Sequence, residues 1–144
     1  MASELTSKIR LPAQASSLKD MRRDIRAAIE NICADTEQID HLVIAINEAS
    51  MNVIQHAYKD THGGYIELEI YKDGEQLIFR VIDFAEPIDS SRIKARDTDH
   101  IQPGGLGIHI IQAVMDEMHF EHNTDGHGNI LEMKVRLKPG TENN

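Results

Sequence analysis

The feature that most restricts how this chain can fold is a change of hydrophobic period at Gly63-Gly64. Before it, Leu18, Met21, Ile25, Ala28, Ile29 and Ile32 recur at helical spacing, with Ser17 the expected N-cap. A second helix begins after Asp35 or Thr36, and Ile39, Leu42, Val43, Ile46, Ser50, Val53 and Ala57 trace its buried face. After the glycines the period is two. Tyr65 to Tyr71 alternates with Ile66, Leu68 and Ile70 on one side, and Leu77 to Asp83 returns after Lys72-Asp73-Gly74-Glu75, a hairpin turn. Ile130 to Leu137 alternates in the same way, Met118 to His122 reads as a further strand, and Leu5 to Leu11 as an edge strand ending at Pro12. Leu106 to Met118 reads as helix. Strands apolar on one face need a cover. The expected fold is therefore an α/β (α+β) two-layer sandwich, a mixed, mostly antiparallel sheet with two or three helices on one face.

At 144 residues and 40% hydrophobic, one domain spanning residues 1–144 is expected. Fifteen Lys and Arg against 24 Asp and Glu give a net charge of −9. That argues against nonspecific binding to nucleic acid or an anionic membrane, both of which need basic surface. The single cysteine, Cys33, rules out an internal disulfide. No apolar run reaches the ~18 residues of a spanning helix and no signal-peptide core opens the chain, so a cytoplasmic protein is expected.

Three groups of residues exceed what folding needs. Glu48, Asn52 and His56 recur four apart on the second helix, drifting only about 40° per step, so they form one stripe beside the buried face. Ala45 and Ala49 between them would leave room for something to sit against the helix. The bland alternative is a solvated polar edge. Asp83 closes a strand, where an acid either contacts a ligand or caps the next turn. Gly104, Gly105, Leu106, Gly107 and Ile108 run into a helix. They suit a phosphate held by free backbone N–H groups, or an ordinary flexible helix entry. Between these groups, residues 84–104 form about twenty residues of little periodicity, containing Pro87 and Pro103. Loops beyond about 12–15 residues are uncommon unless functional or disordered, and a lid beside a site is expected here.

The order of these groups resembles the Bergerat-fold ATPases, the superfamily of gyrase, MutL and the histidine-kinase catalytic domains, over about Leu18 to Leu137. The nearest likeness is to the bacterial anti-sigma-factor serine kinases. Asn-Glu-Ala-x3-Asn-x3-His-Ala-Tyr, from Asn47 to Tyr58, is similar to that family's first box, Asp83-Phe84-Ala85-Glu86-Pro87 to its second, and Gly104-Gly105-Leu106-Gly107-Ile108 to its third. The resemblance implies ATP and Mg²⁺ as cofactors, with Asn52 on the metal, Asp83 accepting from the adenine amino group, and the backbone around Gly105 and Gly107 on the phosphates. It implies Glu48 as general base. His56 has no clear chemical role and is expected to anchor the helix end near Tyr58. Two positions depart from the family pattern. Ala85 replaces the glycine of Asp-x-Gly, and Asn129, in Gly126-His127-Gly128-Asn129, stands where many relatives carry threonine. Asn129 can donate and accept, so the contact is remodelled.

The implied function is a protein-serine kinase that phosphorylates a STAS-type antagonist and, once the antagonist is released, holds a sigma factor or another target. A homodimer follows from the resemblance alone. A second reading is a non-catalytic module of the same fold that sequesters a sigma factor or antagonist, with Ala85 its best support. His119, His122 and His127 cluster in sequence without a cysteine pair. On a strand the first two point to opposite faces, a poor arrangement for zinc.

Overall fold

The computed structural model describes residues 3–57, 64–84, 101–122 and 128–138, with the side chains at 56–57 and 101–106 outside the description. Five strands, β1 (Glu4–Pro12), β2 (Tyr65–Asp73), β3 (Gln76–Asp83), β4 (Glu117–His122) and β5 (Asn129–Arg136), form one sheet in the order β1-β2-β3-β5-β4. Every pairing among them is antiparallel, so the parallel component that a mixed sheet would contain is not found among the described residues. Three helices, α1 (Leu18–Glu30), α2 (Thr36–Ala57) and α3 (Ile101–Val114), supply the second layer. α2 packs on β3, α1 on β1 and on α2, and α3 on α2. No helix among the described residues is long and apolar enough to cross a membrane.

The register shows why one face carries the helices. Ile70, Phe79 and Met133 are aligned across β2, β3 and β5, as are Leu68, Val81 and Leu131 in the neighbouring row. These six side chains are all buried, and with Met21, Ile25, Ile29, Leu42 and Ile46 from the helices they make the core. On the opposite face the same strands align Lys8, Glu69, Arg80 and Glu132. There Arg80 pairs with Glu69 at 3.9 Å and Glu132 at 3.5 Å, while Lys8 and Arg10 each reach Glu67 at 3.6 Å. Cross-strand opposite charges suit a face that none of the described helices covers.

Helix ends differ from the sequence reading in informative ways. Ser17 occupies the N-cap position of α1 but makes no side-chain cap bond, because a 3-10 turn at Ala15–Ser17 leads into the helix with Ser17 already in helical conformation. Asp35 does cap: its Oδ1 accepts the Gln38 N–H at 2.8 Å. Buried Gln38 then ties this end of α2 to the sheet, donating to the Arg136 carbonyl at 2.8 Å and accepting from the Lys138 N–H at 2.9 Å. α3 begins at Ile101 rather than Leu106 and ends at Val114 rather than Met118. Pro103 is tolerated in a first turn, where N–H groups have no intrahelical partner. The last turn is cut short because Asp116 pins β4 to β5, its N–H donating to the Lys134 carbonyl and its Oδ2 accepting from the Arg136 N–H, both at 2.8 Å. Met118 therefore alternates in β4 opposite Met133.

Candidate functional site

Glu48 and Asn52 lie one turn apart on α2, as their spacing requires, Glu48 half-buried and Asn52 9% exposed. What the sequence did not show is their neighbour. Gly107 of α3 sits so close that a Cβ built on it would lie 2.9 Å from Glu48 Oε1, 3.4 Å from Asn52 Nδ2 and 3.7 Å from Asn52 Oδ1. Only a glycine leaves the carboxylate and the carboxamide their present positions. Ala45 and Ala49 are fully buried, so the room expected beside the helix is filled by packed protein at these two residues. Small residues on this stripe instead allow close packing. Ile108 is half-buried beside Gly107, and Ile111, one turn on, is fully buried.

The glycine segment is not a loop entering a helix. Gly104, Gly105 and Leu106 already have helical backbone within α3, and so does Pro103. The part of the expected lid from Ile101 to Gly104 is thus helix, while residues 85–100, with Ala85, Glu86 and Pro87, lie outside the described residues.

A second cluster gathers at the end of the sheet. Asp83, the last residue of β3, faces the helices and is 2% exposed. Its Oδ1 accepts from the Asn129 backbone N–H at 3.2 Å and from Asn129 Nδ2 at 3.3 Å, and its Oδ2 lies 3.4 Å from the same Nδ2. Asn129 is 1% exposed, and its Oδ1 stands 2.9 Å from His122 Nδ1 on β4. Gly128 permits this approach. Its φ is +124°, and a Cβ there would lie 2.0 Å from the Asp83 carbonyl oxygen and 3.1 Å from Phe84 Cα. On the other face of the sheet, the Arg10 guanidinium lies over the Tyr65 ring at 4.8 Å and the Phe84 ring at 5.7 Å, bracing the exit of β3.

The structure therefore brings Glu48, Asn52 and Gly107 together, and separately Asp83 and Asn129. Gly128 and His122 were missed as members of the second set. A glycine directly before a strand-opening asparagine was the available signal for Gly128. His122 gave none, because it meets Asn129 only through β-pairing. His119 stands opposite Glu132 and His122 opposite Asn129, so the two face opposite sides of β4. Among the described residues no group of three or more His, Cys, Asp or Glu could hold a metal. The helix cluster does suit Mg²⁺, which takes few protein oxygens and keeps its waters: Asn52 Oδ1 is one such oxygen, beside a glycine where a side chain would have filled the space.

A family model described as the histidine kinase-like ATPase domain matches residues 11–135. The serine-protein kinase RsbW of Bacillus subtilis (strain 168) is 25% identical over 125 residues, covering 81% of this chain and 78% of that protein. The serine-protein kinase RsbW of Staphylococcus epidermidis is 30% identical over 121 residues, covering 76% of this chain and 75% of that protein. The crystal structure of the RsbU and RsbW domains of a Mycobacterium tuberculosis protein matches with a TM-score of 0.64 at 21% identity, over 94% of this chain and 34% of that one. At that identity the likeness is one of fold.

Proposed function

Since the chain belongs to the histidine kinase-like ATPase domain family, we propose that it is an ATP-dependent protein-serine kinase that phosphorylates a STAS-type antagonist and alternately sequesters a sigma factor or similar target. The similarity to RsbW serine-protein kinases over three quarters or more of this chain supports the activity. The convergence of Glu48 and Asn52 on a glycine whose Cβ would displace the Glu48 carboxylate is the observation that carries the site.

The chemistry follows from the two clusters. Asp83, held by Asn129, offers a carboxylate acceptor to the amino group of adenine. Asn52 would hold the Mg²⁺, which supplies charge neutralisation on the phosphates. Glu48 takes the proton from the acceptor serine as its oxygen bonds to the γ-phosphorus; the bond from that phosphorus to the β–γ bridging oxygen breaks, and ADP leaves. Phosphoryl transfer asks for positioning and charge neutralisation more than for covalent chemistry, so a base, a metal ligand and a seated nucleotide suffice. On the family likeness the kinase acts as a homodimer, which sedimentation would check.

The test is an intact-mass measurement on the antagonist after incubation with the protein, ATP and Mg²⁺. One added phosphate, lost with Glu48→Ala while ATP affinity stays within about twofold, is the expected result for a base that acts on the incoming hydroxyl. Asn52→Ala should lose the metal-dependent part of ATP binding itself. Stable partner binding with no transfer by the unaltered protein would favour the non-catalytic module, and transfer at a normal rate by Glu48→Ala would remove the base assignment.

A further inference from the structure

We infer that His122 is a positioning residue for nucleobase recognition, acting through Asn129 on the Asp83 carboxylate. The inference rests on the proposed ATP reading, in which Asp83 accepts from the exocyclic amine of adenine. Three strands contribute one residue each to a continuous line: His122 from β4, Asn129 from β5 and Asp83 from β3.

The chemistry fixes the direction of every bond in this line. A carboxylate only accepts, so the end of the Asn129 carboxamide facing Asp83 is Nδ2, at 3.3 and 3.4 Å from the two oxygens. The end facing His122 is then Oδ1, which also only accepts, so His122 Nδ1 carries the hydrogen across the 2.9 Å contact. This is the shortest bond in the line. The two from Asn129 Nδ2 are long, and alone they would hold the carboxamide loosely. His122 therefore sets the rotation of the Asn129 amide, and the amide, together with the Asn129 backbone N–H at 3.2 Å from Oδ1, orients the carboxylate. Asp83 and Asn129 are 2% and 1% exposed, so water is a poor substitute partner for either. His122 itself lies exposed on the edge strand, and replacing it leaves the core undisturbed.

A residue that orients a base-reading acceptor should affect discrimination between bases. ATP and ITP separate this cleanly, because ITP presents an oxygen where ATP presents the amine, and that oxygen faces the Asp83 carboxylate without a hydrogen between them. Dissociation constants for both nucleotides, measured by titration calorimetry, give a selectivity ratio in which any fraction of unfolded protein cancels. His122→Leu should weaken ATP by about 3- to 10-fold, the value of one buried hydrogen bond, and leave ITP unchanged. His122→Asn should restore the ratio, since its Nδ2 stands the same number of bonds from Cα as the histidine Nδ1 and can donate in the same place. Asp83→Asn should abolish the preference altogether.

A His122→Leu protein that keeps the full ATP-to-ITP ratio overturns the inference and leaves the ATP reading standing. A His122→Asn protein that melts normally yet behaves like His122→Leu overturns it too, because the donor would then not be the cause. If the unaltered protein fails to distinguish ATP from ITP, Asp83 does not read the amine, and both the assignment of Asp83 and the inference built on it fall.

Discussion

The helix cluster and the strand cluster are built in opposite ways. Glu48 and Asn52 come from one helix, four residues apart, and meet Gly107 of the neighbouring helix at close approach. Asp83 and Asn129 are 46 residues apart, both nearly inaccessible, and joined by backbone as well as side-chain bonds. A group that exchanges a proton during a reaction needs an accessible, adjustable side chain, as half-buried Glu48 has. A group that only recognises does better locked in place, since an acceptor held in one orientation loses no freedom when its ligand arrives. The contrast matches the division of labour proposed for the two sets, with transfer assigned to the helix cluster and recognition to the strand end.

The sharpest way to break that contrast is to add one methyl group to each cluster. In Gly128→Ala the new carbon would meet main chain at Asp83, which has no rotamer to move into, at a positive φ that alanine rarely adopts. We expect a loss of about 3 kcal/mol or more in chemical denaturation, from strain and forced separation of β3 and β5. A change within experimental error would mean that the strand end is softer than its geometry requires. In Gly107→Ala the new carbon meets the far end of Glu48, which can swing away. Stability should hold or rise by up to about 1 kcal/mol, because alanine is the better helix former. Phosphoryl transfer should nevertheless fall at least about tenfold, since the carboxylate is displaced from its place. Equal losses of stability in the two variants would erase the distinction.

A smaller effect tests whether the helix cluster depends only on its own helix. Asp35→Ala removes the cap at the start of α2, more than three turns away from Glu48, and should cost about 1 kcal/mol of stability. ATP affinity, compared well below the melting temperature, should stay unchanged. A parallel fall in affinity would show that the register of α2 is set from its capped end rather than by α3.

These differences also explain what was legible in the sequence. The period change gave the two layers, and a helical repeat of 3.6 residues placed Glu48 beside Asn52 without further help. Asp83 was visible as a strand-end acid, and Asn129 as the residue standing at the position of an expected threonine. Gly107 was visible only as part of a glycine run at a helix entry; its role comes from another helix passing close by. Gly104 and Gly105 misled as well, because they lie within α3 despite their weak intrinsic helix preference. His122 and Gly128 act through strand pairing, and no local pattern specifies which residues of β3, β4 and β5 stand in one row. Met118 was placed in a helix by its spacing and also in the strand beginning there; the Asp116 contacts decide for the strand.

The smallest effect provides the control that keeps the others separate. Cys33 lies between α1 and α2, buried, with its thiol 3.4 Å from Gln38 Oε1 and 3.8 Å from the Asp35 carbonyl. Burial pushes its pKa above the ordinary thiol value of 9.0, opposed by the hydrogen bond to the Asp35 backbone and aided by the Asp35 charge. The folded state thus holds the neutral thiol more tightly than the unfolded chain does. The stability this gives is intact below the unfolded pKa and declines as pH rises through it, so denaturation midpoints should drop slightly above about pH 9. Cys33→Ser should flatten that decline, since a hydroxyl does not ionise there. Below that pH the thiolate is scarce and shielded, and labelling by a thiol reagent should require opening of the α1–α2 end. Labelling should accelerate in Gly128→Ala, where global stability falls, and remain at the unaltered rate in Gly107→Ala. Faster labelling in Gly107→Ala would mean that the loss of transfer came from loosening of the whole helical layer, and the helix cluster could no longer be described as displaced side chains on an intact scaffold.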